Sequence, residues 1–241
     1  MKILSIDSTA KVASAALLSD GDLLAETTVR CGRSHSETLL PMIEGLFRMT
    51  RLRPEDIDLF ACAAGPGSFT GVRIGVATIK GLAFGRGIPC AAVSSLEALA
   101  ENLAPLPGIL CPVMDARREQ VYQAAFCFED GKLLRLSPDR AVGVRELAEE
   151  LRTAYPGKTI RLTGDGCAVA AAGLREAGLC PVLPPDGLAV QSAAAVGRCA
   201  ARMAAAGNTV TDAALSPVYL REPQAERERK ERLNRQSADR S

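Results

Sequence analysis

Two carboxylates sit where they could do chemistry. Asp7 ends a short apolar run and leads into Ser8-Thr9, and Asp115 ends a second run over residues 109–114. Aspartates facing each other across a cleft would position a hydrated Mg²⁺ and a phosphate for phosphoryl transfer. The plainer reading is that Asp7 caps a turn. The run Gly65-Pro66-Gly67-Ser68-Phe69-Thr70-Gly71-Val72-Arg73-Ile74-Gly75 is the sharpest local pattern. Its glycines permit positive φ, Ser68 and Thr70 can cap a following helix, and that helix's N-terminus can hold an anion. It is not a Walker A loop, because Val72-Arg73 follows Gly71 where Lys-Ser/Thr is needed, and the dinucleotide pattern needs glycine at Thr70. Asp7, Ser8, Thr9, Gly65, Gly67, Ser68 and Asp115 are therefore the candidate nucleotide or phosphate positions, with a structural strand-to-helix turn as the alternative.

His35, between Ser34 and Ser36, is the only histidine. It would act as a general base or as a cysteine's partner, or simply begin a helix. A lone imidazole excludes a His-x-x-x-His zinc site. No Gly-x-Ser-x-Gly elbow exists, since Pro66 and Thr70 stand at the two positions around Ser68 where the motif requires glycine. The eight cysteines, 31, 62, 90, 111, 127, 167, 180 and 199, form no Cys-x-x-Cys pair and read as reduced core residues.

Lys and Arg number 29 against 28 Asp and Glu, so the net charge of +1 is too balanced to hold a nucleic-acid backbone by bulk electrostatics, and any RNA role would be shared with a partner. The chain has 241 residues, 47% of them hydrophobic, enough to bury one large core or two small ones. Apolar runs such as 13–18 and 193–196 fall far short of the roughly 20 residues that cross a bilayer. Asp7 arrives before an apolar signal region can form, which predicts no secretory signal and a cytosolic protein.

The elements that must hold these residues follow from periodicity. Residues 2–7, 12–18 and 23–29 read as three strands, the last two joined by the hairpin signal Asp20-Gly21. Leu39, Leu40, Met42, Ile43, Leu46, Phe47 and Met49 recur at helical spacing, and Pro41 implies a late start or a kink. A strand over 57–64 then feeds a helix over 72–84, followed by a strand over 89–93 and a helix capped by Ser94 or Ser95. After the Pro-rich stretch 104–108 the layout repeats, with strands over 109–114, 120–128 and 132–136 and the turn Asp130-Gly131. A helix over 144–154, a strand over 159–162, the turn Gly164-Asp165-Gly166, a helix over 168–177 and an Ala-rich helix over 190–205 close the second copy. Residues 222–241 are a mixed-charge polar tail, read as frayed helix or disorder. The whole describes an α/β, duplicated ribonuclease-H-like fold of two lobes, 1–104 and 109–221, with a cleft between them, the architecture of actin, Hsp70 and sugar kinases.

Gly71 and Gly75 lie four apart in their helix, with Ala77, Thr78 and Gly81 near, a smooth surface for another backbone. It would be used either within its lobe or, together with the wide apolar stripe over 39–49, between two chains.

The run GPGSFTGVRIG resembles the signature of the bacterial TsaB family, also called YeaZ. The opening ILSIDST, HSETLLPMI, VSSLEALA, MDARREQVY and the closing SPVYLR extend the resemblance over the whole chain. It implies a noncatalytic scaffold subunit of the complex that forms threonylcarbamoyladenosine next to the anticodon of tRNA. It also implies a catalytic TsaD-type paralogue as partner, a TsaE-type P-loop ATPase, a homodimer when alone, and tRNA contact only through the complex. The family's interfaces correspond to residues 35–49 and 70–84, which makes His35, Leu39, Leu40, Ile43, Phe47, Gly71, Arg73, Ile74, Gly75 and Thr78 the expected partner face. Ser95 and Leu99 stand where the paralogue has its metal-binding histidines, so the resemblance implies no metal and no catalysis here. The resemblance leaves ATP or ADP open, on this chain or at a site shared with partners; an actin-like ATP-binding enzyme using Asp7 and Asp115 is the competing expectation.

Overall fold

The structure, a computed structural model, describes residues 1–221; the tail expected over 222–241 lies outside the described residues. Strands β1 (Lys2–Asp7), β2 (Ala13–Ser19) and β3 (Asp22–Val29) form an antiparallel meander. Asp20 (φ 52°) and Gly21 (φ 95°) make the two-residue turn between β2 and β3, a geometry whose twist matches that of the strands it joins. Helix α1 (His35–Thr50) leads to β4 (Leu59–Gly65), and α2 (Phe69–Ala83) leads to β5 (Cys90–Ser94). Both strands run parallel in register with β1's side of the sheet, giving the order β3-β2-β1-β4-β5. Helix α1 runs unbroken through Pro41 from His35, so the expected late start is not found. The missing N–H falls on the exposed side of the helix, where water can take the carbonyl it would have met. Helix α2 begins at Phe69, three residues ahead of expectation, because the Ser68 hydroxyl accepts from the Gly71 N–H and sets the first turn.

Helix α3 (Ser95–Glu101), capped by Ser94 through the Glu97 N–H, leads into the second sheet. That sheet contains β6 (Ile109–Asp115), β7 (Gln120–Gln123), β8 (Phe126–Glu129), β9 (Lys132–Arg135), β10 (Arg140–Gly143) and β11 (Ile160–Thr163). The single strand expected over 120–128 is divided at Ala124-Ala125, where the Ser137 hydroxyl accepts the Ala125 N–H and Leu136 N–H donates to the Ala125 carbonyl. Both pieces still pair with β6 in one antiparallel register, from Asp115 opposite Val121 to Leu110 opposite Phe126. β9 and β10 likewise flank β8 and β7, and β11 runs parallel to β6. The second sheet thus repeats the meander plus parallel strand of the first, with α4 (Val144–Ala154) and α5 (Cys167–Glu176) in the places of α1 and α2. This is a duplicated ribonuclease-H-like fold.

The helices are not shared out as the sequence order suggests. The Ala-rich helix α6 (Ala193–Ala205), expected to close the second lobe, packs on the first sheet against Ile3, Ala16, Leu18, Ala61 and Ala91. Its small side chains let it lie close: a Cβ on Gly197 would sit 2.4 Å from Leu18 Cδ1, and Ser5 Oγ donates to the Ala193 carbonyl at 2.6 Å. Reciprocally, Leu96, Leu99, Ala100 and Leu103 of α3 and its end pack with Leu110, Met114 and Phe126 of the second sheet. A polar seam joins the same parts, with Arg135 bridging Glu97 and Asp139, and Arg198 and Arg202 reaching Glu101.

Candidate functional site

The sequence repeats bring two regions together: a helical face built by α1 and α2, and the cleft between the sheets. Leu39, Met42, Ile43 and Leu46 turn inward from α1 into the core beneath β2 and β4. Leu40, at 49% exposure, and the half-buried Phe47, about two turns on, share one flank of the helix, whereas Met49, at 66% exposure, lies about two and a half turns from Leu40 and so on the other flank. His35 is a pin for the helix start: its Nε2–H donates to the Ala10 carbonyl at 2.7 Å, so it joins the helix to the loop after β1. Helix α2 turns Arg73 and Ala77 outward and leaves Ile74 and Thr78 half-buried. Phe47 and Ile74 both pack against the same core and both keep part of their surface exposed, on two helices that touch each other.

Gly71 and Gly75 do not belong to that face. A Cβ at Gly71 would lie 2.0 Å from the Ser8 carbonyl oxygen, and one at Gly75 would lie 2.7 Å from Ser8 Oγ. Ser8 Oγ donates to the Gly71 carbonyl at 2.8 Å. The glycines let α2 lie directly on the loop after β1, so the close packing is within the chain. Leu39 and Ile43 are corrected with them: both are core residues, 1% and 2% exposed. Of the ten expected partner residues, His35, Leu40, Phe47, Arg73, Ile74 and Thr78 keep surface that another molecule could touch.

The cleft is a cavity of about 410 Å³. From the first lobe it is lined by Thr9, Lys11, Gly67, Ser68, Phe69 and Thr70, from the second by Met114, Asp115, Arg117, Tyr122 and Asp165, and along its mouth by residues 218–221. Thr9 and Ser68 are held together by the Ser68 N–H donating to the Thr9 carbonyl, which a Cβ on Gly67 would approach to 2.5 Å. Gly65 (φ 121°) is pressed against the Val218 carbonyl in the same way.

The two aspartates paired by the repeat are not equivalent in space. Asp115 faces the cavity, its Oδ1 accepting from the Arg117 N–H, while its own N–H donates to Asp165 Oδ1 at 3.2 Å. Asp7 is 1% exposed and does not line the cavity. Its Oδ1 accepts from the Thr9 N–H and hydroxyl, and its Oδ2 is buried with no hydrogen-bond partner among the described residues. Burial pushes its carboxyl up to about 6 against the lowering effect of the Thr9 bonds, with a further upward contribution from Asp165. Asp165 is itself raised, chiefly by burial; the hydrogen bond from the Asp115 N–H opposes the shift, the Asp115 carboxylate adds to it, and Lys11 opposes it. Ser8, with its hydroxyl committed to Gly71, and Gly65 also lie outside the lining. The phosphate positions that do meet in the cavity are Thr9, Gly67, Ser68 and Asp115.

A family model described as TsaD, tRNA N6-adenosine threonylcarbamoyltransferase, matches residues 29–183. The Escherichia coli protein described as tRNA threonylcarbamoyladenosine biosynthesis protein TsaB is 32% identical over 223 residues, 92% of this chain and 95% of that one. The solved YeaZ structure from Pseudomonas aeruginosa superposes with a TM-score of 0.78 at 27% identity, covering 91% of this chain and 99% of that one. The chain belongs to the TsaB (YeaZ) family. The Bacillus subtilis TsaB is 38% identical over 152 residues, 63% of this chain and 66% of that one.

For a TsaB-family chain the residues missed by sequence reasoning are Lys11, Tyr122, Asp165, Tyr219 and Arg221, all on the cavity wall. Asp165 had a usable signal: Gly164-Asp165-Gly166 follows β11 as Gly65-Pro66-Gly67 follows β4, so the two turns face the cleft as counterparts. Lys11 and Arg221 had none, because only the tertiary course brings them there. The cysteines divide. Cys62, Cys90, Cys111, Cys127 and Cys199 are buried as expected of core residues, whereas Cys31 and Cys180 are exposed and Cys167 is intermediate, which corrects the reading that all eight are core. Burial pushes the Cys111 thiol up to about 12, so it stays protonated and unreactive at neutral pH. Among the described residues no helix is long and apolar enough to cross a membrane.

Proposed function

We propose that this chain is the noncatalytic scaffold subunit of the complex that forms N6-threonylcarbamoyladenosine next to the anticodon of tRNA, pairing with and activating a catalytic TsaD-type paralogue in the cytoplasm. The observation that supports it most is the apolar surface left on the adjoining helices α1 and α2, where Leu40 is half exposed and Phe47, Ile74 and Thr78 are only partly buried. Apolar surface of this kind is stabilised by a partner that removes it from water. The single histidine is engaged with the Ala10 carbonyl, and Ser95 and Leu99 are both buried in α3, so the chemistry is assigned to the paralogue. A TsaE-type ATPase, a homodimer in the paralogue's absence, and tRNA contact through the assembly complete the proposal.

Light scattering after gel filtration of the full chain, alone and mixed with its TsaD-type paralogue, tests the reading. A heterodimer is expected. Leu40→Glu and Ala77→Arg each place a charge on exposed positions of the face and are expected to weaken pairing at least tenfold while leaving the melting temperature within a few degrees. Wild-type affinity in both variants would overturn the assignment of this face. The competing ATP-enzyme reading rests on the cavity, but Asp7 is shut behind Thr9 and does not line it. Calorimetry with Mg²⁺-ATP, run on the chain alone and on the heterodimer, separates an independent site from a composite one.

A further inference from the structure

The segment between α6 and Arg221 crosses from the first sheet to the second over the cleft mouth. It is anchored at one end by Leu215, 1% exposed in the first core, and by Lys80 Nζ, which donates to the Ala213 and Leu215 carbonyls at 3.0 Å. Val218 N–H then donates to the Ala64 carbonyl at 2.7 Å, with the Val218 carbonyl laid against Gly65. At the far end Arg221 donates to the Ala116 carbonyl at 2.9 Å, a contact with the opposite lobe. Between these anchors the Tyr219 ring rests 4.9 Å from the Phe69 ring. Arg73 covers that pair: its guanidinium lies 3.8 Å from the Phe69 centroid, and its Nε–H donates to Tyr219 Oη at 2.8 Å. Arg73 is also the α2 neighbour of Ile74 on the docking face.

We propose that the segment over residues 215–221 is a strap that holds the two lobes together across the cleft, and that Arg73 is its catch, coupling the strap to the TsaD-type paralogue docked on α1 and α2. The second half of the statement rests on the docking reading above. The physical link is solvation. Arg73 and Tyr219 are exposed in the free chain, so water competes for their hydrogen bond and for the guanidinium. A partner that covers α2 removes that water, and both the charge-assisted bond and the cation–π contact strengthen as the surroundings lose polarity. Docking thus tightens the strap, and by reciprocity a loosened strap weakens docking.

Hydrogen exchange at the amides of residues 218–221 reads the strap directly. In the free full-length chain, Arg73→Ala is expected to raise exchange at Val218 about tenfold, the order set by one hydrogen bond and one cation–π contact, with β1 unchanged and Arg73→Lys in between. Adding the TsaD-type paralogue is expected to slow Val218 exchange in the wild type and not in Arg73→Ala. Unchanged exchange in Arg73→Ala would overturn the catch. Protection of α1 and α2 without protection of Val218 would overturn the coupling while leaving the docking face intact. Absence of any binding would remove the docking reading and the coupling with it, and the free-chain comparison would still decide the catch.

Discussion

Gly71→Ala is expected to destabilise the protein by about 3 kcal/mol, and Gly81→Ala, in the same helix, to stabilise it by about 0.5–1 kcal/mol. Helix propensity favours alanine at both positions, so the opposite signs isolate tertiary packing. At Gly71 the new Cβ would stand 2.0 Å from the Ser8 carbonyl oxygen, a backbone atom of a buried loop that has no flexible end to swing aside. Relief requires α2 to move off the loop, which also breaks the Ser8 Oγ bond to the Gly71 carbonyl and disturbs the Asp7–Thr9 turn. At Gly81 nothing lies within 4 Å, and alanine there only lowers the entropy of the unfolded chain. Urea unfolding of the two variants against wild type measures both. Equal effects would mean that α2 is free to slide on the loop, and with it the argument that its glycines serve the chain's own packing would fall.

The second large effect is a pH dependence centred on Asp7. Its folded carboxyl titrates at about 6, above the ordinary value of 3.8, and burial is the main cause. Between those values the native state keeps a proton that the unfolded chain has already released. Stability contributed by this group is therefore present below about pH 4 and is lost as pH rises toward 6 and beyond, by about 3 kcal/mol for a shift of roughly two units. Asp7→Asn keeps the acceptor for Thr9 and cannot ionise. The variant's stability relative to wild type is expected to rise by about 3 kcal/mol between pH 4 and pH 7, read from denaturant midpoints across that range. The difference cancels the other titrating groups to first order. A pH-independent difference would show that Asp7 is solvated or paired in a way that its buried, unpartnered Oδ2 does not suggest.

Both experiments bear on how the cleft is joined to the face proposed for docking. Ser8 supports α2 from below, Thr9 closes Asp7 off from the cavity, and Tyr219 meets Arg73 above. The loop after β1 and the strap together place α2 between the cavity and the face proposed for a partner.

Element order and the repeat were legible in the residues because their signals are local. The turns Asp20-Gly21 and Asp130-Gly131 carry the positive φ values that two-residue hairpins need, and periodicity separated α1 and α4 from the strands around them. The family was legible too, through separate motifs spread from residue 3 to residue 221. The sidedness of α2 was not, since a helix with glycines on one turn is equally suited to its own chain or to another until the position of Ser8 is known. Nor was the lodging of α6 on the first sheet, because an Ala-rich helix fits any close-packed apolar surface and its choice depends on Leu18 and Ser5, far away in sequence. The same holds for Asp7 and Asp115: two aspartates in matching places along the chain differ in burial, because Thr9 folds over one while the other opens onto the cavity. Local sequence determined which elements form and in what order, since turn and periodicity signals act over a few residues; long-range packing decided which surfaces they hide, since burial is a property of neighbours the chain brings together only when folded.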